Sequence, residues 1–121
     1  MNLVINGLII IFLVWLLARK IMPVKGVKQI THDEVKKVIG NKKWQFVDVR
    51  TPDEYARNHI KGFNNIPLHD LTTRLDELSN TKEIVLICQS GMRSNKASKI
   101  LIKKGFTKVM NIHGGISSWS K

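Results

Sequence analysis

The chain has a single cysteine, Cys88, in 121 residues. With no second thiol, an intrachain disulfide is excluded, and so is a small secreted scaffold stapled by disulfides. A lone cysteine of this kind works only if it stays reduced. Acidic residues are also scarce: nine Asp and Glu stand against twenty Lys and Arg, for a formal net charge of +11. No Lys or Arg precedes Arg19, so all of that charge lies after residue 18. Internal repeats and low-complexity tracts are missing as well. Despite the positive charge, there is no basic motif interleaved with aromatics and no helix-turn-helix or RRM pattern, which argues against a nucleic-acid partner. The charge then reads as attraction to anionic lipid headgroups, as steering of small anions, or as a solvated lysine surface.

Polar residues are nearly absent from Met1 to Ala18, where only Asn2, Asn6 and Gly7 interrupt the apolar run before Arg19 and Lys20 end it. At about 1.5 Å per residue, eighteen helical residues reach about 27 Å, the thickness of a thin bilayer core. A signal peptide would carry its basic residues before the apolar stretch and a small-residue cleavage site after it. Neither is present. The expectation is therefore a membrane anchor over residues 1–20, a linker over 21–26 and one small domain over 27–121. Arg19, Lys20, Lys25 and Lys28 all follow the run. Positive-inside bias then places the domain on the cytoplasmic face, where a thiol stays reduced.

Within the domain, Glu83-Ile84-Val85-Leu86-Ile87 reads as a buried strand that ends at Cys88. Gln89, Ser90, Gly91, Met92, Arg93 and Ser94 follow as a loop, and Asn95 to Lys104 reads as a helix stopped by Gly105. Ligands of parallel α/β sheets bind at such strand ends. Three features favour a thiolate at Cys88: loop N–H groups that can converge into an anion nest, the positive end of the helix dipole, and the charge on Arg93. The competing reading is a small buried hydrophobe that merely ends a strand. Ser90, Gly91 and Ser94 do not look like core, which favours a reactive cysteine.

Upstream, Thr31-His32-Asp33-Glu34 and Thr51-Pro52-Asp53-Glu54 both carry the capping-box pattern of a helix start. Val35, Val38 and Ile39 form an inner helical face. Trp44 to Val49 reads as a core strand. Asp48 and Arg50 at its end read as structural charges, since buried charges persist only when paired. Arg50 with Glu54 is expected as an ion pair, and Asp48 as an orienter of nearby loop backbone. Leu71, Leu75 and Leu78 lie at helical spacing and predict a helix over 68–78. His32 is expected to be solvated, His59 to be structural, and His69 has no assigned role. The overall alternation of strands and helices predicts an α/β domain with a mainly parallel five-stranded sheet covered on both faces.

Three blocks, taken together, are similar to the single-domain rhodaneses, which are thiosulfate and persulfide sulfurtransferases. They are Val47-Asp48-Val49-Arg50-Thr51-Pro52-Asp53-Glu54-Tyr55 with His59-Ile60-Lys61-Gly62 and Asn65-Ile66-Pro67, the Cys88 loop, and His113-Gly114-Gly115-Ile116 with Trp119. The resemblance covers about residues 27 to 120. It implies a rhodanese-like fold and covalent sulfur transfer. Cys88 would take the outer sulfur of a donor such as thiosulfate, the loop from Gln89 to Ser94 would cradle it, and a thiol or cyanide would remove it. The resemblance implies no metal and no organic cofactor, because sulfur is the group carried. It also implies that the glycines of the third block let a loop pass close to the active site. Related phosphatases and arsenate reductases place five residues between Cys and Arg, whereas this chain has four, Gln89 to Met92. A shorter loop suits one sulfur atom better than a tetrahedral oxyanion. A persulfide-carrying or redox-sensing binding module is the other reading, and sequence does not separate it from an enzyme.

Overall fold

The computed structural model describes residues 2–22 and 24–119, without the side chains of Lys20 and Ile21. Met1 of the apolar run, Pro23 of the linker, the charge on Lys20, and Ser120 and Lys121 of the expected domain lie outside the described residues.

Alternating apolar residues build the centre of the molecule. β4 (Glu83–Ile87) points Ile84 and Leu86 to one face and Val85 and Ile87 to the other, and all four are fully buried. It lies between β2 (Trp44–Asp48) and β5 (Val109–Ile112), with β1 (Lys28–Ile30) and β3 (Asn64–Asn65) at the edges. The order is β1-β5-β4-β2-β3 and every pairing is parallel, as the strand–helix alternation predicts.

Each face has its own core. On one, Val47, Val49, Leu71, Ile84 and Leu86 meet Ala97 and Leu101 of α4 (Met92–Lys103). On the other, Phe46, Phe63, Val85, Ile87 and Ile112 meet Val35 of α2 (His32–Val38). Burying each such side chain contributes roughly 1.5–3 kcal/mol. Both predicted capping boxes form, at the starts of α2 and of α3 (Pro52–Arg57).

Two expectations change. Residues 68–78 form two short 3-10 segments, Leu68–Thr73 and Leu75–Glu77, rather than one helix. Arg74 breaks the run at φ −121°, and Thr73 turns its hydroxyl back onto the Asp70 carbonyl, a local bond that competes with helix. Leu71 still reaches the core.

The transmembrane expectation finds no support among the described residues. The apolar run is helical, as α1 (Leu3–Ile21), and its side chains from Leu8 to Leu17 are exposed. Among the described residues, however, no helix is long and apolar enough to cross a membrane. The far end of α1 rests against α4, where Asn95 Nδ2 donates to the Met22 carbonyl at 3.3 Å.

Candidate active site

Cys88 follows the last residue of β4 and is 1% exposed. The chain must reverse within three residues to start α4, and Gly91 makes this possible at φ 109°. No atom crowds the place of a Cβ at Gly91, so it is the backbone angle that calls for glycine. The turn brings the Gly91 N–H to 2.9 Å from Cys88 Sγ. The thiol donates to Ser94 Oγ at 3.3 Å, and the Ser94 hydroxyl donates to the Gly91 carbonyl at 3.1 Å. The sulfur therefore sits in a turn of backbone at the positive end of a twelve-residue helix.

The helix begins at Met92, three residues earlier than the sequence pattern predicts. Only Gln89, Ser90 and Gly91 form the loop proper. Met92, Arg93 and Ser94 belong to the first turn of α4. Gln89 and Ser90 are exposed, Met92 is half exposed, and Ser94 is fully buried against the sulfur.

The predicted charge pairs are exchanged. Arg50 does not pair with the Glu54 carboxylate. Its Nε bonds both Asp48 carboxylate oxygens, at 3.0 and 3.1 Å, and one terminal nitrogen bonds Asp48 Oδ2 at 2.8 Å. Asp48 is fully buried and Arg50 is 3% exposed, so each is the counter-ion the other needs. Arg50 reaches Glu54 only at its backbone carbonyl, at 3.4 Å. Asp48 also accepts from the Arg50 N–H, which matches the expected orienting of nearby backbone. The Glu54 carboxylate instead takes Arg93, two-pronged, at 2.5 and 2.9 Å. Arg93 thus points along the loop to α3 and does not grip the sulfur. Its guanidinium pKa is raised, first by the hydrogen bond to Glu54 and then by the charge of that carboxylate, against the opposing effect of burial.

Hydrogen bonds from Arg93 and Thr51 hold the Glu54 carboxyl at about 2, below its ordinary 4.5. A depressed folded pKa means the ionised form favours folding. That contribution is complete above pH 4.5 and is lost as pH falls toward 2. Glu54→Gln is accordingly expected to lower stability by about 1 kcal/mol at pH 7, the scale of a partly exposed pair. The gap between the two proteins should close as pH falls from 4.5 toward 2. Urea denaturation at pH 7 and pH 3 checks this, and a pH-independent gap would contradict it.

A second segment straps the loop from above. Ile116 N–H donates to the Cys88 carbonyl at 2.9 Å, and Ser117 donates to the Gln89 carbonyl through its N–H at 3.0 Å and through its hydroxyl. The approach is so close that a Cβ on Gly115 would lie 2.5 Å from the Cys88 carbonyl oxygen. Gly115 also has φ 60° and ψ −157°, a region essentially reserved for glycine. His32, expected to be solvated, donates from Nε2 to the Gly115 carbonyl at 3.1 Å and stands edge-on to Trp119. Sequence reasoning missed His32 and Ser117. The Gly114-Gly115 pair was the available signal of close approach. His59 stacks on Tyr55, and His69 lies by Asp70 on the surface.

The profile of the rhodanese-like domain family matches residues 31–121. The chain belongs to the rhodanese-like family. This rhodanese-like chain is 33% identical to the protein YqhL of Bacillus subtilis (strain 168) over 118 residues, 98% of this chain and 92% of that one. It is 32% identical over 73 residues to the thiosulfate sulfurtransferase GlpE of Pseudomonas fluorescens, covering 60% of this chain and 67% of that protein. A rhodanese-like domain protein from Staphylococcus aureus has the same fold, with a TM-score of 0.71 and 31% identity over 78% of this chain and 93% of the other.

Proposed function

We propose that this rhodanese-like protein is a sulfurtransferase that carries sulfane sulfur on Cys88. The observation that carries the reading is the Gly91 N–H at 2.9 Å from a cysteine sulfur at a helix N-terminus. In the first step the Cys88 thiolate attacks the outer sulfur of a donor such as thiosulfate. The donor's S–S bond breaks, sulfite leaves with the electron pair, and Cys88 becomes a persulfide. Loop N–H groups and the helix end stabilise the charged sulfur. In the second step a thiolate or cyanide attacks the outer sulfur, and the pair returns to Sγ. The Ser94 hydroxyl is a free rotor and turns from the Gly91 carbonyl to donate to the thiolate so regenerated. Arg93 acts by positioning the first turn of α4 through Glu54. Thiosulfate is favoured as donor because the chain is strongly basic and because the Pseudomonas relative is named for it.

The test is the intact mass of the reduced full-length protein, in detergent, after exposure to thiosulfate. A gain of one sulfur atom, removed by cyanide, is the expected result. No gain from a thiol that still alkylates would overturn the reading.

The same proposal places the protein at a membrane, attached through α1, with the domain on the cytoplasmic side. Support comes from the exposed apolar side chains of Leu8 to Leu17 and from the basic residues that follow them. Full-length protein is expected to float with vesicles of mixed neutral and anionic lipid, and to stay bound in 1 M salt (on the order of a 3 Å Debye length). Release by salt would leave only charge attraction, and failure to float would remove the membrane altogether.

A further inference from the structure

We propose that the cavity between the Cys88 loop and the edge of the sheet is the sulfur-acceptor subsite, and that it takes a thiol bearing a carboxamide. The proposal rests on the sulfurtransferase reading and names its acceptor class. The cavity is about 380 Å³ and is walled by Ser90, Gly91 and Met92 on one side and by Gln29, Asn95 and Asn111 on another. Gly91, whose N–H bonds Cys88 Sγ, lines the cavity, so only the loop backbone stands between the cavity and the buried sulfur. Its volume falls in the range of small-ligand sites.

Its polar wall is incompletely bonded. Gln29 on β1 and Asn111 on β5 are register partners, so their side chains stand on the same face, about 4.8 Å apart at the backbone. Asn111 is 3% exposed and donates to Asn95 Oδ1 at 2.8 Å. Its own Oδ1 has no partner, and neither does the buried Nε2 of Gln29. Among the described residues these are the two buried side-chain N and O atoms without a hydrogen bond. Native proteins satisfy such groups with protein, water or ligand, so two together beside a reactive loop make a place where a polar ligand can be held. Both residues line the cavity, with the two unpaired atoms themselves buried. The terminal torsion of Gln29 is soft, so a ligand in the cavity can draw its amide round.

One neutral donor beside one neutral acceptor matches the edge of a primary carboxamide, which offers a C=O and an N–H side by side. A carboxylate would set an oxygen against Asn111 Oδ1, and an ester has no N–H to give it. With the carboxamide held, the acceptor's thiolate attacks the outer sulfur of the Cys88 persulfide. That S–S bond breaks, its electron pair returns to Sγ, and the acceptor leaves as a hydropersulfide carrying the proton its thiol gave up.

The test uses full-length persulfidated protein and three matched acceptors: 3-mercaptopropionamide, its methyl-ester counterpart and 3-mercaptopropionate. The amide is expected to react with about tenfold lower KM than the ester, the worth of a satisfied buried hydrogen-bond pair. The amide should also beat the carboxylate, although the protein's positive charge favours the anion. In Gln29→Leu and Asn111→Leu the amide-to-ester ratio should fall toward one. Partial unfolding lowers both rates alike and leaves the ratio intact, so the ratio reads the site. Equal KM values in the native protein, or a preference that survives both substitutions, would overturn the proposal. Side-chain amide resonances of Gln29 and Asn111 in unloaded protein give a readout independent of sulfur transfer. Saturable shifts with propionamide and none with methyl propionate support the subsite, and no shifts refute it. Shifts without any sulfur loading would instead retire the sulfurtransferase reading alone.

Discussion

Cys88→Ser is expected to fold and to take up no sulfur. The side chain at position 88 is fully enclosed, and its two hydrogen bonds run to the Gly91 N–H and to Ser94 Oγ. A serine hydroxyl can accept the first and donate the second, so stability should stay within about 1 kcal/mol of the native protein. Reactivity is another matter. A hydroxyl is a poor nucleophile without a base to take its proton, and neither partner of Cys88 is one. Sulfur uptake should fall by a factor on the order of 10³ or more, as when a covalent nucleophile is removed. Intact mass after thiosulfate reads the uptake, and the urea midpoint reads the fold. Uptake by the serine variant would remove Cys88 from the reaction. Loss of folding without it would make the cysteine structural.

Asp48→Ala should cost the most stability of any single change considered. It strips the counter-ion from Arg50, which is 3% exposed and donates three side-chain hydrogen bonds to the Asp48 carboxylate. It also leaves the Arg50 N–H unbonded. Breaking a buried pair from one side costs about 3–5 kcal/mol. Against a total of roughly 5–15 kcal/mol for a small domain, that is enough to leave much of the protein unfolded at 37 °C. The charge argument has its own control. Asp48→Leu combined with Arg50→Met removes both charges and should recover a large part of the loss. A single variant within 1 kcal/mol of native (roughly the limit for a surface pair), or a double variant worse than the single, would show that the pair is not what holds this strand end.

The parts of this molecule legible in the sequence are those decided within a few residues. Both capping boxes formed as read, because a threonine and a glutamate three residues on satisfy each other's backbone locally. β4 was legible because a continuous apolar run between turn residues can be buried on both faces only in a covered sheet. The Leu71–Leu75–Leu78 spacing named residues packed on or in the core but the wrong helix type, since spacings of three and four serve a 3-10 run nearly as well as an α-helix.

The ion pairs were not legible. Arg50 stands four residues before Glu54, and the two were expected to pair. Burial decided otherwise: Arg50 enters the interior beside Asp48, while Glu54 stays near the surface, where Arg93 arrives from α4.

By itself, then, the sequence determined the strands, the two capped helix starts and the presence of one thiol at a strand end, all products of local hydrogen bonding and hydrophobic period. Only the tertiary structure decided which charge meets which, that His32 and Ser117 tie the Gly115 strap over the Cys88 loop, and that Gln29 comes to stand beside Asn111. Those contacts join residues up to 83 positions apart. Parallel pairing of distant strands creates them, and apart from the Gly114-Gly115 pair no local pattern names the residues that meet.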